Sequence, residues 1–509
     1  MSGSRTKIRR ALLSVWDKTG LEPLARELHG LGVELVSSGG TAAAIEAAGI
    51  PVTTVEAVTE VPEMLDHRVV TLHPRIHGGL LADLGKPEHL ADLERHGIAP
   101  FELVVSNLYP FRERPGIETI DIGGPALTRA SAKNHAWVAI VSAIDQYEAL
   151  ISELRANDGT VGADTRRAFA IEAFARTAAY DAAVVEWMQG DDDALPRHLV
   201  LALERTDEQL RYGENPHQQA ARYREVGASG FWDTAVKYGD FALSYLNFYD
   251  AEAAWRLVHD LGEEAACAIV KHANPCGVGV AGALGEAYRL ALECDDKSAF
   301  GGIVAFNRIV DDATIDGMVA APQADVVIAP GYGPGAVDRL LAKRRRTRVL
   351  EARSPERPLR NFRQSSGGFL VQVPDHFAAA RDSWRVVTRV QPSSEQWRDL
   401  ELAWRICAYV KSNAVVLVAG GQAVGIGAGQ QSRVDAGDIA ARKAAGRAKG
   451  GAAATDGFYP FPDGVEAAAA AGVAVVGQPG GGMNDDAVIE VADEMGIAMV
   501  FTGERHFLH

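Results

Sequence analysis

Cysteine is scarce: four residues in 509, at positions 267, 276, 294 and 407. That number does not build a disulfide scaffold. No C-x-x-C pair occurs, so a zinc site built from cysteines is not expected either. An excess of positive charge is also missing. The formal net charge is -16, which argues against general nucleic-acid binding, where a basic face is required. Any site for an anionic ligand must then be a local positive island in an acidic chain. No apolar run approaches the ~20 residues that cross a bilayer. The start, "MSGSRTKIRRALLSV", passes from basic residues directly into a short strand-like segment, without an apolar signal core or cleavage site. The expected location is cytoplasmic, with no membrane partner.

What is present is ordinary for a globular protein: 47% hydrophobic and 23% charged residues. The length suggests two to four domains. Over the first 190 residues or so, strand and helix patterns alternate. "RRALLSV", "VELVSS" and "IPVTTV" read as strands, "GLEPLARELHGLG" as a helix ending in glycine, and "GGTAAAIEAAG" as a turn followed by a helix. "ELVVSNLYPF" and "WVAIVSA" add two buried-strand candidates. This order implies a parallel sheet with helices on its faces. "MQGDDDALPRH", residues 188 to 198, reads as a linker, with Asp191, Asp192 and Asp193 close to Pro196. The expected division is therefore 1–198 and 199–509.

The second region opens with the turn-rich "RYGENPHQQAARY". "ACAIVKHANPCG" and "FGGIVAFNRIV" read as strands around the helical "LGEAYRLALEC". A looser stretch covers about 352 to 395, after which "ELAWRICAYVKSNAVVLVAGGQAVGIGAG" returns to helix and strands. Val270-Lys271 echoes Val410-Lys411 and hints at two similar α/β units, divided near 360–395. The basic run "AKRRRTR", residues 342 to 348, fits a solvated helix end, or a patch that attracts an anionic ligand tail.

Several stretches carry chemistry-bearing side chains. Ser38, Gly39, Gly40 and Thr41 lie between a strand and a helix, where exposed N–H groups favour a phosphate. Lys18 follows another strand, at the sheet edge where open α/β sheets bind ligands. "RVVTLHPRIHGG" offers Arg68, Thr71, His73, Arg75 and His77, and later segments offer Asn107, Tyr109, Asp121 and Lys133. Spacing alone does not show that they meet. "AIVKHANPCGVGV" sets Lys271 beside His272 before a Pro-Cys turn. A zinc deaminase needs H-x-E or C-x-E before P-C-x-x-C. Here Pro275-Cys276 lacks the second cysteine and no H-x-E precedes it, so a metal is not expected. Metal-free acid–base work and a plain strand end remain as readings of Lys271 and His272.

The chain resembles, over nearly its whole length, the bifunctional purine-biosynthesis family that joins 5-aminoimidazole-4-carboxamide ribonucleotide (AICAR) formyltransferase to inosine monophosphate (IMP) cyclohydrolase. The shared stretches are "DKTGL", "SSGGT", "TLHPRIHGGLLA", "NLYPF", "IDIGGP" and "AKNHA", then "LRYGENPHQQA", "KHANPCG", "SAFGG", "VKSNAVV", "GAGQQSRVDA", "DGFYPFPDG" and "TGERHF". The resemblance implies an α/β protein. A methylglyoxal-synthase-like N-terminal domain would be followed by two cytidine-deaminase-like α/β units without zinc. It implies 10-formyltetrahydrofolate as cosubstrate, no catalytic metal and a homodimer.

Residue by residue, the resemblance makes His272 the proton acceptor in formyl transfer and Lys271 its partner. Arg211, Tyr212, Gly301, Asp325, Asn413, Phe458 and Arg505 match positions that hold the ribonucleotide. Arg433, Asp463 and the turn Pro479-Gly480-Gly481 match positions around the folate. For the cyclohydrolase, Trp16, Asp17, Lys18, Ser38, Gly39, Gly40, Thr41, Arg68, Val69, Val70, Thr71, Asn107, Asp121 and Ile122 match nucleotide contacts. Lys133 matches the proton donor and acceptor, and Tyr109 a residue near the reacting base. The chain departs from the family at Val70, usually lysine, at Leu246, usually asparagine, and in a shorter segment between Tyr109 and Asp121. Val70 raises one alternative, a formyltransferase with a weak or inactive cyclohydrolase domain; the resemblance raises another, a nucleotide-binding regulatory protein, since methylglyoxal-synthase-like domains can act as effector sensors.

Overall fold

The computed structural model describes residues 5–65, 67–190, 192–377 and 381–509; Asp191 of the expected linker lies outside them. The chain divides into two compact units, Met1–Glu204 with Glu225–Gly227, and Arg205–Arg224 with Ala228–His509. None of the described helices is long and apolar enough to cross a membrane.

The first unit is built on a five-stranded sheet. In spatial order its strands are Thr53–Thr54, Glu34–Ser37, Arg10–Val15, Leu103–Asn107 and Ala139–Val141. Every pairing is parallel. Such strands are covered on both faces and read as continuous apolar runs. In Arg10–Val15, Ala11, Leu13 and Val15 enter one core, and Leu12 enters the core on the opposite face. The chain leaves Arg10–Val15 in one direction to reach Glu34–Ser37 and later returns on the other side as Leu103–Asn107. The crevice beyond the carboxyl ends of Arg10–Val15 and Leu103–Asn107 is where such sheets bind ligands. The helix Gly39–Ala47 starts at the glycines themselves, so the expected turn is the first turn of the helix. A long helix, Ala163–Gln189, ends at Gly190 (φ 70°). The side-chain amide of Gln189 then bonds both backbone groups of His198, which folds this stretch back on the helix end.

The second unit carries a twelve-stranded sheet made of two matching halves. In the first, Ala265–Lys271 pairs antiparallel with Asn274–Ala281 and with Ile303–Phe306, which continues parallel into Val326–Ala329 and Arg348–Glu351. In the second, Val415–Ala419 pairs antiparallel with Gln422–Gly427 and Ala452–Thr455, which continues parallel into Val475–Gln478 and Ala498–Phe501. An antiparallel edge strand closes each half, Val236–Tyr238 in one and Arg385–Val386 in the other. The halves meet where Gly279 pairs with Gln422.

The duplication extends to single residues. Each central hairpin has an irregularity at the same place, Ile269/Val270 and Leu417/Val418. This register aligns Lys271, His272 and Ala273 with Ala419, Gly420 and Gly421. The Val410-Lys411 echo is therefore not the structural equivalent of Val270-Lys271. Lys271 ends its strand, whereas Lys411 precedes Val415–Ala419. Behind each hairpin a helix packs against glycines. A Cβ on Gly277 would stand 1.9 Å from the Ala291 carbonyl oxygen, and one on Gly425 would stand 2.1 Å from that of Ala440. The basic run 342–348 splits by direction. Arg344 turns in to the carbonyls of Val319 and Ala321 and Arg348 is buried, while Arg345 and Arg346 stay exposed.

Gly425→Ala should therefore destabilise the second unit by about 1–3 kcal/mol, the usual cost of overpacking. Gly437, in the facing helix Arg433–Ala444, has open space around a built Cβ. Gly437→Ala should raise stability slightly through helix propensity. Urea unfolding of both variants tests the contrast.

Candidate functional site

In the first unit a cleft of about 660 Å³ opens at the crevice where the chain reverses direction across the sheet. Asn107, at the end of its strand, shapes the rim. Its Oδ1 accepts from the amides of Trp16 (2.6 Å) and Asp17 (3.0 Å), and its Nδ2 donates to the Asp17 carbonyl (2.9 Å). The Thr41 hydroxyl ties the helix start to the sheet through both backbone groups of Val15. Ser38, Gly39, Gly40 and Thr41 line the cleft at the N-terminus of Gly39–Ala47. No side chain caps that helix end. Lys18 lies over Gly40, with Nζ 3.7 Å from where a Cβ would be, and forms no ion pair among the described residues. Its Nζ donates to the Trp16 carbonyl (3.2 Å) and has further N–H donors; uncapped amides and an ammonium group without a carboxylate partner make an anion cradle.

The opposite wall carries Arg68, Val70, Thr71, Tyr109, Asp121 and Ile122. Arg68 is paired with Glu118. Val70 faces the cleft and also packs on the apolar core beneath it. Burial pushes the Asp121 carboxyl above its ordinary range, against the pull of its bond from the Gly124 amide (2.8 Å). Burial and the Asp121 charge raise the Tyr109 phenol. Tyr109 packs on Trp16 in a tilted arrangement, 4.9 Å between centroids. The shift moves the Asp121 carboxyl toward neutral pH, which suits it to proton traffic, whereas the Tyr109 phenol, moved further from neutrality, is suited to donating a hydrogen bond. Asp17 and Val69 do not line the cleft. Asp17 accepts from the Thr19 amide, and Val69 is bridged to Met64.

Lys133 is not brought to this cleft. It ends the helix Gly123–Lys133 whose start lines the cleft. That length sets it about 15 Å from Gly123 at 1.5 Å per residue. It lines a separate open recess with Arg129 and Phe174.

In the second unit, Lys271 Nζ donates to the carbonyls of Phe300 (3.2 Å) and Gly301 (2.9 Å). A Cβ on Gly301 would stand 3.1 Å from Lys271 Nζ and 3.8 Å from Asp325 Oδ1, so Gly301 leaves room between them. His272 and Ala273 form a two-residue turn with φ of 53° and 56°. Asn274 Oδ1 accepts from the Lys411 amide (3.0 Å), which joins this turn to the segment that carries Asn413. Arg211 stands over the Tyr212 ring. Burial and the Arg211 charge push the Arg348 guanidinium below its ordinary range, and Asp325 opposes this. Arg211, Tyr212, Asp325 and Arg348 are thus neighbours.

Arg433 bonds Asn413 Oδ1 (2.9 Å), Asp456 Oδ1 (2.9 Å), Thr455 Oγ1 (2.6 Å) and the Phe458 carbonyl (3.1 Å). It organises this wall with most of its donors already engaged. Phe458 packs under Gly482, beyond the turn at Gly480 and Gly481, whose positive φ angles of 75° and 91° suit glycine. Asp463 starts the helix Asp463–Ala470 just after Phe458. Arg505 stacks on Phe507, and that ring reaches Gly457 beside Arg433. No group of three or more His, Cys, Asp or Glu among the described residues is placed to hold a metal. Sequence reading missed Arg348, Lys411, Asp456 and Asp250. Three of these lie in stretches that stood out, Arg348 at the end of "AKRRRTR", Lys411 in "VKSNAVV" and Asp456 at the start of "DGFYPFPDG"; Asp250 lies in none.

Known proteins match the sequence of this chain over nearly its whole length. Residues 131–443 match the family described as AICARFT/IMPCHase bienzyme, and residues 20–129 match the MGS-like domain. The chain is 48% identical over 531 residues to the bifunctional purine biosynthesis protein PurH of Dinoroseobacter shibae, with 99% of each chain covered. The proteins of that name from Roseobacter denitrificans and Ruegeria pomeroyi are 47% and 48% identical, again with 99% of both chains covered.

Lys18→Ala should weaken binding of a phosphate-bearing nucleotide to the first-unit cleft about tenfold to a hundredfold, the loss of one charge-assisted contact of ~1.5–3 kcal/mol. Isothermal titration at two salt concentrations reads it. The variant's affinity should also depend less on salt.

Proposed function

We propose how the residues of this chain divide the work, starting from the fact that it belongs to the AICARFT/IMPCHase bienzyme family. The chain is a bifunctional enzyme of purine biosynthesis, an AICAR formyltransferase and an IMP cyclohydrolase. For the assignment of residues, the observation that carries most weight is the pair Lys271 and His272 at a capped turn beside Gly301 and Asp325.

In our reading, 10-formyltetrahydrofolate donates the formyl group and His272 accepts the proton of the attacking amine. The amine lies on a ring with an electron-withdrawing carboxamide, so it is a poor nucleophile and needs a base. The new bond joins that nitrogen to the formyl carbon, and the bond from the folate nitrogen to the same carbon breaks. Lys271 has three N–H donors, and two are held by the carbonyls of Phe300 and Gly301. The third is free for the formyl oxygen as it gains negative charge, or for the departing folate nitrogen. Arg211, Tyr212, Asp325, Asn413, Phe458 and Arg505 hold the ribonucleotide; Arg433, Asp463, Gly480 and Gly481 shape the folate side.

For cyclisation, Lys18 and the amides at Ser38 to Thr41 hold the phosphate, and Asp121 and Tyr109 manage protons as the carboxamide nitrogen closes on the formyl carbon and water leaves. Bringing the two groups together supplies much of the acceleration. Lys133 is a poor fit to this step within one chain, since it lines the other recess. Val70 favours a second reading, a cyclohydrolase weaker than its partner activity, because it leaves an apolar side chain on the cleft wall.

The substrates are small molecules of the cytoplasm, and we assign the enzyme to that compartment. We also assign it a homodimer. The hairpin Asn361–Ser365 with Gly368–Gln372 exposes Phe362, Phe369 and Leu370, and two strands alone are marginal in water. A second copy would cover it.

His272→Ala should lower formyl transfer ~10²- to 10⁴-fold, the usual loss for a general base, with cyclisation of supplied formylated intermediate unchanged. Assays that follow the intermediate and IMP separately decide this; near-normal formyl transfer removes His272 from the chemistry. Val70→Lys should raise cyclohydrolase turnover or tighten nucleotide binding, by up to ~1.5–3 kcal/mol for a well-placed charged contact. The gain shrinks where the ammonium group meets the apolar wall. If neither cyclohydrolase parameter moves in steady-state kinetics, residue 70 has no part in the reaction here.

A further inference from the structure

His272 and Ala273 occupy the left-handed region in succession, a conformation that L-residues other than Asn and Asp seldom adopt. The turn is held from below by one carboxylate. Asp250, on the helix Tyr245–Asp260, accepts from the His272 amide (3.2 Å) and from the Ala273 amide (2.8 Å). It is 8% exposed. Burial raises its carboxyl, and the two amides, with His272 and Lys271 close by, work to keep it ionised.

The second half of the sheet supplies an internal control. Its helix Ser394–Cys407 carries Asp399, which accepts from the amides of Gly420 (2.9 Å) and Gly421 (3.0 Å). The approach is the same down to the helix start, where Ser244 and Ser393 cap their helices with Asn247 and Gln396 three residues on. In that copy the turn residues are glycines and no imidazole is present. The same carboxylate-to-turn contact thus occurs once with a base on the turn and once without.

We propose that Asp250 is a positioning residue of formyl transfer: through the two turn amides it fixes the backbone that presents the His272 imidazole, and its charge stabilises the imidazolium formed when that ring takes the proton. This rests on the assignment of His272 as base. Both Asp250 oxygens are turned to the backbone amides of the turn. Asp250 acts on the angle at which His272 leaves the strand, and on the stability of the protonated ring, which exists only as the reaction proceeds.

The test compares Asp250→Asn with Asp399→Asn in the full-length enzyme. Both changes remove one charge and weaken one turn, so both should lower the melting temperature to a similar extent. Formyl-transfer kcat should fall about tenfold to a hundredfold in Asp250→Asn alone, as for loss of a charge-assisted contact, with KM for the ribonucleotide within about twofold of wild type. Asp399→Asn should keep the wild-type kcat. Equal kcat in the two variants, or a rise in KM with kcat unchanged, overturns the proposal. If Asp250→Asn does not fold, Asp250→Ser is read by the same split, and a wild-type kcat in that folded variant overturns it equally. His272→Ala is assayed in parallel. Activity retained there refutes the base assignment, whereas activity lost there but kept in Asp250→Asn refutes only the role of Asp250.

Discussion

The formyl-transfer site proposed for this chain depends on a two-residue turn that the backbone resists. Each L-residue in the left-handed region costs roughly 1–2 kcal/mol, and His272 and Ala273 stand there side by side. The cost is offset by what surrounds the turn. Asp250 satisfies both turn amides, the strands on either side are buried, and the glycines of Asn274–Ala281 let a helix press against the hairpin from behind. Strain persists in a structure only where its surroundings over-determine it. The second copy of the turn uses Gly420 and Gly421 and avoids the strain. The strain is therefore confined to the copy that carries the imidazole.

The two sites handle charge in different ways. In the first unit Lys18, which has no carboxylate partner among the described residues, lies by an uncapped helix end, while Arg68 is held by Glu118. An anionic ligand entering there meets the Lys18 ammonium and a set of backbone dipoles. In the second unit Arg433 is nearly surrounded. Its partner Asp456 has no exposed side-chain surface, and a buried pair of this kind is stable only with its remaining donors and acceptors satisfied. Thr455, Asn413 and Phe458 meet that condition for Arg433, and Ser412 does so for Asp456. The arginine thus secures the segment that presents Asn413. A chain of net charge -16 can bind anionic substrates because these local arrangements outweigh its distant field.

Much of this was legible before any coordinates. Apolar runs such as "RALLSV" and "ELVVSN" are strands because a parallel sheet is covered on both sides. "LGEAYRLALEC" is a helix at its expected limits. The cleft residues at Ser38 to Thr41 and at Asn107 were readable because strand ends and helix starts are local features. What depends on register was not readable. The Val-Lys echo suggested a duplication and placed it wrongly, since the equivalence follows the hairpin irregularity and the glycines behind it. Lys133 looked close to Asp121 in sequence, but a straight helix carries it to the other end. Asp250 was hidden because its role is contact with a turn 22 residues away, and an aspartate in mid-helix usually points to solvent. Arg348 was hidden in a basic run of which Arg344 and Arg348 turn inward and Arg345 and Arg346 do not.

The cysteines acquire a use from where they lie. All four are in the second unit, each buried, and none is paired in a disulfide. Burial pushes the Cys276 and Cys294 thiols up to about 12, and raises Cys267 and Cys407 as well. In the closed state there is then almost no thiolate for a reagent to meet. Reaction waits for the sheet to open, so the rate of labelling measures opening and not intrinsic reactivity. The first unit, with no cysteine, is invisible to such a reagent. The native chain carries a built-in clock for the breathing of one of its two units.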